Sequence, residues 1–139
     1  MVDGNLNHNA SIHKILDETR TIAVVGLSSR PERPGYYVPA YLQRQGYRII
    51  PVNPALTEAL REKAYPDLLS VPEPVDLVLL FRRSEAVPPF VEDAVRIGAR
   101  AVWMQSGIAN DEAAEGARSA GLEVVMDRCM MVEHRLWKR

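Results

Sequence analysis

The sequence has 139 residues, 47% hydrophobic and 25% charged, an ordinary balance for one globular domain that can bury its own core. Lys and Arg number 17 against 18 Asp and Glu, a net charge of −1, which removes the electrostatic case for a general nucleic-acid binder or a partner of anionic membranes. The one cysteine, Cys129, cannot form an internal disulfide, no apolar run approaches a bilayer span, and the first twenty residues hold no apolar signal segment, so a single soluble domain over 1–139 in a reducing cytoplasm is expected.

In chain order, a helix is expected over Ala10–Thr19 and a strand over Ile22–Gly26. Val38, Tyr41 and Leu42 keep helical spacing up to a stop at Gly46, and a second strand follows at Tyr47–Val52. The stretch Ala55–Leu69 is less regular; it can hold a short helix over Thr57–Glu62, with Tyr65-Pro66-Asp67-Leu68 as a turn. A third strand covers Val75–Phe81. Val87, Phe90, Val91, Ala94, Val95 and Ile97 then mark a helix with Pro88 and Pro89 in its first turn and Gly98 at its end. Ala101–Met104 is a fourth strand, Asn110 caps a helix through Ala113, Ala114 and Ala117, and Glu123–Met126 is a fifth strand.

These strands are continuous apolar runs, as strands covered on both faces are. Their alternation with helices predicts a doubly wound α/β fold: a mainly parallel five-stranded sheet with helices on both faces. The first helix and the tail Met130–Arg139 are expected at the edges.

In such a sheet, ligands bind beyond the carboxyl ends of the strands, where the strand order reverses. Five arginines fall in the loops after strands: Arg30, Arg33, Arg82, Arg83 and Arg128. Guanidiniums gathered beside serines and a helix start suit a phosphorylated ligand. A dinucleotide fingerprint needs Gly-x-Gly-x-x-Gly after the first strand and an acid ending the second. Here only Gly26 matches, Ser28 stands where the second glycine belongs, and the second strand ends Val52-Asn53-Pro54. Both departures disfavour NAD.

The same residues carry a resemblance. Val25-Gly26-Leu27-Ser28, Arg33-Pro34, Tyr37-Val38, Pro51-Val52-Asn53-Pro54, Phe81-Arg82, Trp103-Met104-Gln105-Ser106-Gly107 and Asp127-Arg128-Cys129 follow one another in order, the Pro-Val-Asn-Pro, Trp-x-Gln-x-Gly and Asp-Arg-Cys phrases at strand ends. The chain thereby resembles the small stand-alone CoA-binding proteins, similar in turn to the Rossmann-like CoA-binding domain of the succinyl-CoA synthetase alpha subunit. The resemblance implies a Rossmann-like fold and a binding, carrier or sensor role without catalysis. Its ligand would be CoA or an acyl-CoA, with a homo-oligomer or a protein partner left open. It also implies that CoA lies across Gly26-Leu27-Ser28-Ser29-Arg30 with Arg33, across Val52-Asn53-Pro54, Phe81-Arg82 and Gln105-Ser106-Gly107, with Cys129 nearby. Two positions depart from the family pattern. Gly35 replaces a serine before the first crossing helix, and Leu60-Arg61-Glu62-Lys63 replaces a Leu-Gly-Glu phrase.

Other chemistries find less support. Ser28 imitates the start of a nucleophile elbow, but position 30 is Arg and the histidines His8, His13 and His134 lie near the termini. Cys129 with His134 is too few ligands for zinc. Cys129 reads first as a packed rim residue, second as a thiol able to pair with that of CoA. Trp103 and Met104 read as core and Asp76 as a turn residue. The alternatives of a different class are a small NAD(P)-linked oxidoreductase and a CoA-dependent acyltransferase.

Overall fold

The computed structural model describes residues 4–139, with side chains from residue 9 onward. The main sheet has five strands: β1 (Thr21–Val25), β2 (Arg48–Val52), β5 (Leu77–Leu80), β6 (Ala101–Met104) and β7 (Glu123–Val125), while β3 (Glu58–Ala59) and β4 (Glu62–Lys63) form a separate hairpin. The helices are α1 (Gly4–Glu18), α2 (Pro34–Arg44), α3 (Val87–Arg96), α4 (Asp111–Ser119) and α5 (Met130–Trp137). The sheet order is β2-β1-β5-β6-β7, with every neighbour pair parallel. The chain steps outward from β1 to β2, crosses back over β1, and proceeds the other way from β5. The reversal point lies between β1 and β5.

Alternate residues of each strand feed two cores. Ala23, Val25, Ile50, Val78, Leu80, Val102 and Met104 pack with Val91, Ala94, Ala113, Ala114 and Ala117 of α3 and α4. Ile22, Val24, Ile49, Leu77, Leu79 and Trp103 pack with Ile12, Leu16, Val38, Leu42 and Met130 of α1, α2 and α5. Burial on both faces explains the continuous apolar runs. It also corrects the expected edge positions of α1 and the tail: both lie on one face beside α2, because Ile12, Ile15 and Leu16 on α1 and Met130 on α5 contribute to that core.

The short helix expected over Thr57–Glu62 is instead the β3–β4 hairpin, turned by Leu60 and Arg61 at φ of 53° and 63°. Backbone pairing outweighs the helix preference of this polar stretch: Tyr65 bridges to Val52, and Tyr65 N–H donates to Pro51 O at 2.9 Å. Asn110 caps α4 as expected, its Oδ1 accepting from Ala113 N–H at 2.9 Å. Asp76 serves a structural end, accepting from the amides of Arg20 and Thr21 at 3.0 and 2.9 Å. No helix among the described residues is long and apolar enough to cross a membrane.

Candidate functional site

The β1–β5 reversal point opens into two adjoining depressions that share Gly26, Ser28 and Arg33. The larger, of about 510 Å³, lies between the ends of β1, β5 and β6 and the first turns of α2 and α5. The smaller, of about 360 Å³, lies on the β2 side, under Ser29, Arg30 and Asn53. Of the fifteen residues singled out in the sequence, Gly26, Leu27, Ser28, Ser29, Arg30, Arg33, Asn53, Phe81, Gln105, Ser106 and Cys129 line one or both. Val52 ends β2 and is buried, Pro54 is exposed just past it, and Arg82 and Gly107 stand on the rim loops outside both linings.

Gly26 makes this geometry possible. It sits at φ +83°, and a Cβ there would fall 2.7 Å from the Phe81 carbonyl oxygen and 3.1 Å from Arg82 Cδ. The ends of β1 and β5 approach through a space only a hydrogen atom fills. The next link depends on a proline inside a helix. Pro39 cannot donate to the carbonyl four residues before it, which leaves the Gly35 oxygen without a helical partner. Ser28 N–H takes that oxygen at 3.0 Å and ties the β1 loop to α2. Gly35 is itself buried, and a Cβ on it would stand 3.3 Å from Gly26 O, so the family's serine would crowd this approach.

Asn53 holds the loop from both ends of its amide: its Nδ2 donates to Leu27 O at 2.9 Å and its Oδ1 accepts from Ala55 N–H at 2.9 Å. Ser28 Oγ accepts from Arg30 N–H at 3.1 Å, a local turn bond. No histidine among the described side chains adjoins it. His134 is 1% exposed, bonds Tyr41 Oη through Nδ1 at 2.8 Å, and lies among the rings of Tyr41, Tyr47 and Trp137. Burial first and Lys138 second hold its pKa below the usual imidazole value, while burial pushes Tyr47 up to about 12. The sequence shows a polar histidine on a terminal helix; the fold makes it a core residue.

Electrostatically the rim is cationic. Arg30, Arg33 and Arg82 make no ion pair among the described residues, whereas Arg83 reaches Glu85 at 3.5 Å and Arg128 reaches Glu133 at 3.9 Å. Arg82 stacks over Phe90 at 5.6 Å and lies against Gly26, while the Arg83 side chain is 88% exposed. The amides of Ser29 and Gly35 donate to no acceptor among the described residues. Unpaired guanidiniums, unengaged amides and the start of α2 are groups whose chemistry suits an anion. A depression of about 490 Å³ at the other ends of the strands has a mixed lining instead, with Glu18, Asp76 and Glu123 beside Lys14 and Arg100, and Lys14 is paired with Glu123.

The far wall is braced by a second set of bonds. Gly107 N–H donates to Asp127 Oδ1 at 2.6 Å, Asp127 N–H to Ile108 O at 3.0 Å, and Trp103 Nε1 to Arg128 O at 2.8 Å. Gln105 Oε1 accepts from Met130 N–H, the first amide of α5, at 3.1 Å. Reading only strand ends misses Pro34, Gly35, Tyr37 and Val38 from α2 and Met131 and Val132 from α5, which line the larger cleft. The available signals are Pro34 as a helix start and Cys129 as the residue before α5.

Comparison with known proteins gives the family and the fold. The family model described as a CoA binding domain matches residues 20–135. An uncharacterized protein of Bacillus subtilis, YneT, is 43% identical over 129 residues, covering 93% of this chain and 96% of that protein. A hypothetical protein from Pyrococcus horikoshii, of known structure, superposes with a TM-score of 0.91 at 40% identity, over 94% of this chain and 92% of its own. The ADP-forming acetate–CoA ligase II of Archaeoglobus fulgidus is 28% identical over 100 residues, 70% of this chain but only 15% of the ligase. Matched over nearly all of the Rossmann-like sheet and its strand-end loops, this chain belongs to the CoA-binding domain family.

Proposed function

We propose that the chain binds CoA or an acyl-CoA across the β1–β5 reversal point and does so as a binding, carrier or sensor module without catalysis of its own. One observation carries the reading: Arg30 and Arg33 line a crevice, and Arg82 stands on its rim, with no ion pair on any of the three among the described residues and with the Ser29 and Gly35 amides unengaged, in a chain of the CoA-binding domain family. The diphosphate and ribose phosphate would take Ser28, Ser29, Arg30, Arg33 and Arg82, through charge-assisted bonds. Asn53 keeps the β1 loop in place, and Pro54, exposed just past the buried Val52, offers the adjoining apolar rim to the adenine. The neutral pantetheine arm would run into the larger cleft past Gly26, Leu27 and Phe81, toward Gln105, Ser106, Gly107 and Cys129.

The groups present support the non-catalytic part of this reading. The crevice offers arginines, amides and hydroxyls, which hold a phosphorylated ligand and move protons poorly at neutral pH. Cys129 is the one strong nucleophile, and His134 is spent on Tyr41 in a separate depression. Calorimetry with CoA, NAD and NADP tests the reading, together with mass spectrometry of whatever the purified protein retains. CoA is expected to bind more tightly than either dinucleotide; equal or tighter NAD binding overturns the proposal. Acyl turnover by the wild type that disappears in Cys129→Ser would establish the acyltransferase instead.

A further inference from the structure

We infer that the larger cleft is built for the acyl thioester of CoA in preference to the free thiol, with Gln105 holding the thioester carbonyl and the first turn of α5 receiving the acyl chain. The inference rests on the CoA reading above and deepens it. Two independent features carry it.

The first is an oriented donor. Gln105 is 4% exposed, and its Oε1 is fixed by the Met130 N–H. A backbone N–H can only donate, so that bond decides which end of the amide is oxygen. Gln105 Nε2 has no partner among the described residues. Yet no side-chain nitrogen or oxygen walled off from solvent there lacks one. The amide NH2 therefore opens into the cleft that Gln105 lines. A buried, pre-oriented donor favours a ligand acceptor and penalises a ligand that leaves it unmatched. A thioester carbonyl is such an acceptor; a thiol is at best a weak one.

The second is an apolar wall. Tyr37, Val38, Ile108, Met131 and Val132 line the same cleft. Tyr37 and Val132, 41% and 44% exposed, are two of the four large hydrophobic residues left in water among the described residues. A third, Leu136, follows Val132 by one turn on the same side of α5 and extends the strip outward. The rim around Arg30 and Arg33 is polar, so the charged half of CoA belongs there. What reaches α5 is the far end of the arm and whatever is attached to its sulfur. Burying a methylene strengthens binding by about fourfold when complete, and this open wall is expected to give roughly threefold each.

The experiment is a calorimetric series of CoA, acetyl-, butyryl- and hexanoyl-CoA on the intact chain, with infrared spectra of a carbonyl-labelled thioester and sedimentation at several concentrations. Hexanoyl-CoA should bind at least tenfold more tightly than CoA, and the thioester carbonyl band should move to lower frequency on binding. Gln105→Glu keeps an acceptor for Met130 N–H but removes the donor, so the band shift should vanish and the acyl-CoA to CoA affinity ratio should fall. Val132→Ser should flatten the chain-length dependence. Should Gln105→Glu fail to fold, the wild-type series and carbonyl band decide alone. A flat series with an unshifted band overturns the inference while leaving CoA binding intact; no CoA binding at all overturns the reading beneath it. Self-association that Val132→Ser abolishes, with no chain-length dependence, would assign the wall to a second copy and also overturn it.

Discussion

Replacing Gly26 by alanine tests the closeness of β1 and β5, and Gly107 supplies the matched control. Both residues have left-handed backbone, at φ +83° and +82°, but a Cβ on Gly107 meets nothing within 4 Å while one on Gly26 meets the Phe81 carbonyl at 2.7 Å. The conformational cost is therefore shared, about 1–2 kcal/mol for an L-residue in that region. Gly26→Ala adds steric cost, because the obstacle is backbone on a central strand end that can move only by prising the strands apart. Overpacking of this kind costs about 1–3 kcal/mol. Gly107→Ala should thus lose about 1–2 kcal/mol and Gly26→Ala about 2–5 kcal/mol, the latter a fall in Tm of roughly 8–20 °C at this chain length. Urea titration followed by tryptophan fluorescence measures both, with the slope checked for two-state behaviour. A Gly26→Ala variant within about 0.5 kcal/mol of Gly107→Ala, the scatter of such comparisons, would falsify the close-approach argument.

The site and the packing of α5 give further expectations. Arg82→Ala should weaken CoA binding by about 1.5–3 kcal/mol, and Arg83→Ala should leave the calorimetric titration nearly unchanged, since Arg83 points to water beside Glu85; the reverse ranking would show that the strand end faces the other way. Pro39→Ala restores a helical N–H that competes with Ser28 for the Gly35 oxygen, so Ser28 amide exchange should quicken and CoA affinity drop even where Tm holds or rises. Because burial lowers the folded pKa of His134 from its ordinary 6.5, the unfolded chain binds the extra proton first as pH falls. Stability should be full above about pH 6.5 and decline below it, by at most about 1.4 kcal/mol per pH unit from this one group. His134→Gln should flatten that decline in urea midpoints taken between pH 7.5 and 5.5; an unchanged slope would remove His134 as its source.

The main sheet is legible in the sequence because parallel strands buried on both faces have no solvent side to encode, so Ile22-Ala-Val-Val and Leu77-Val-Leu-Leu announce themselves. The strand ends are legible for the same reason: once the strands are fixed, the loops carrying Gly26, Arg82 and Gln105 fall at one end. The hairpin is not. Glu58-Ala-Leu-Arg-Glu-Lys63 has helix-forming composition, and Leu60 and Arg61 adopt positive φ with no glycine or asparagine to signal it. Pairing of the hairpin's exit at Tyr65 with the end of β2 at Pro51 and Val52, not local preference, decides its form.

What the sequence hides is long-range and centres on α5. Tyr41 and His134 meet across 93 positions, and Gln105 meets Met130 across 25; neither pairing leaves a local pattern. Those two contacts hold opposite ends of the same eight-residue helix, too short to persist without tertiary support. His134 seats its last turn against α2, and Gln105 receives its first amide at the cleft. Met131 and Val132 therefore line the larger cleft only because His134, at the other end, is buried. The charged half of the site belongs to the strand-end loops and can be read from them. The apolar half belongs to a helix whose position is set by a histidine that reads, in sequence, as surface. The place proposed for a ligand's phosphates is thus foreseeable from this chain's residues, and the place proposed for its acyl end can be argued only from the fold.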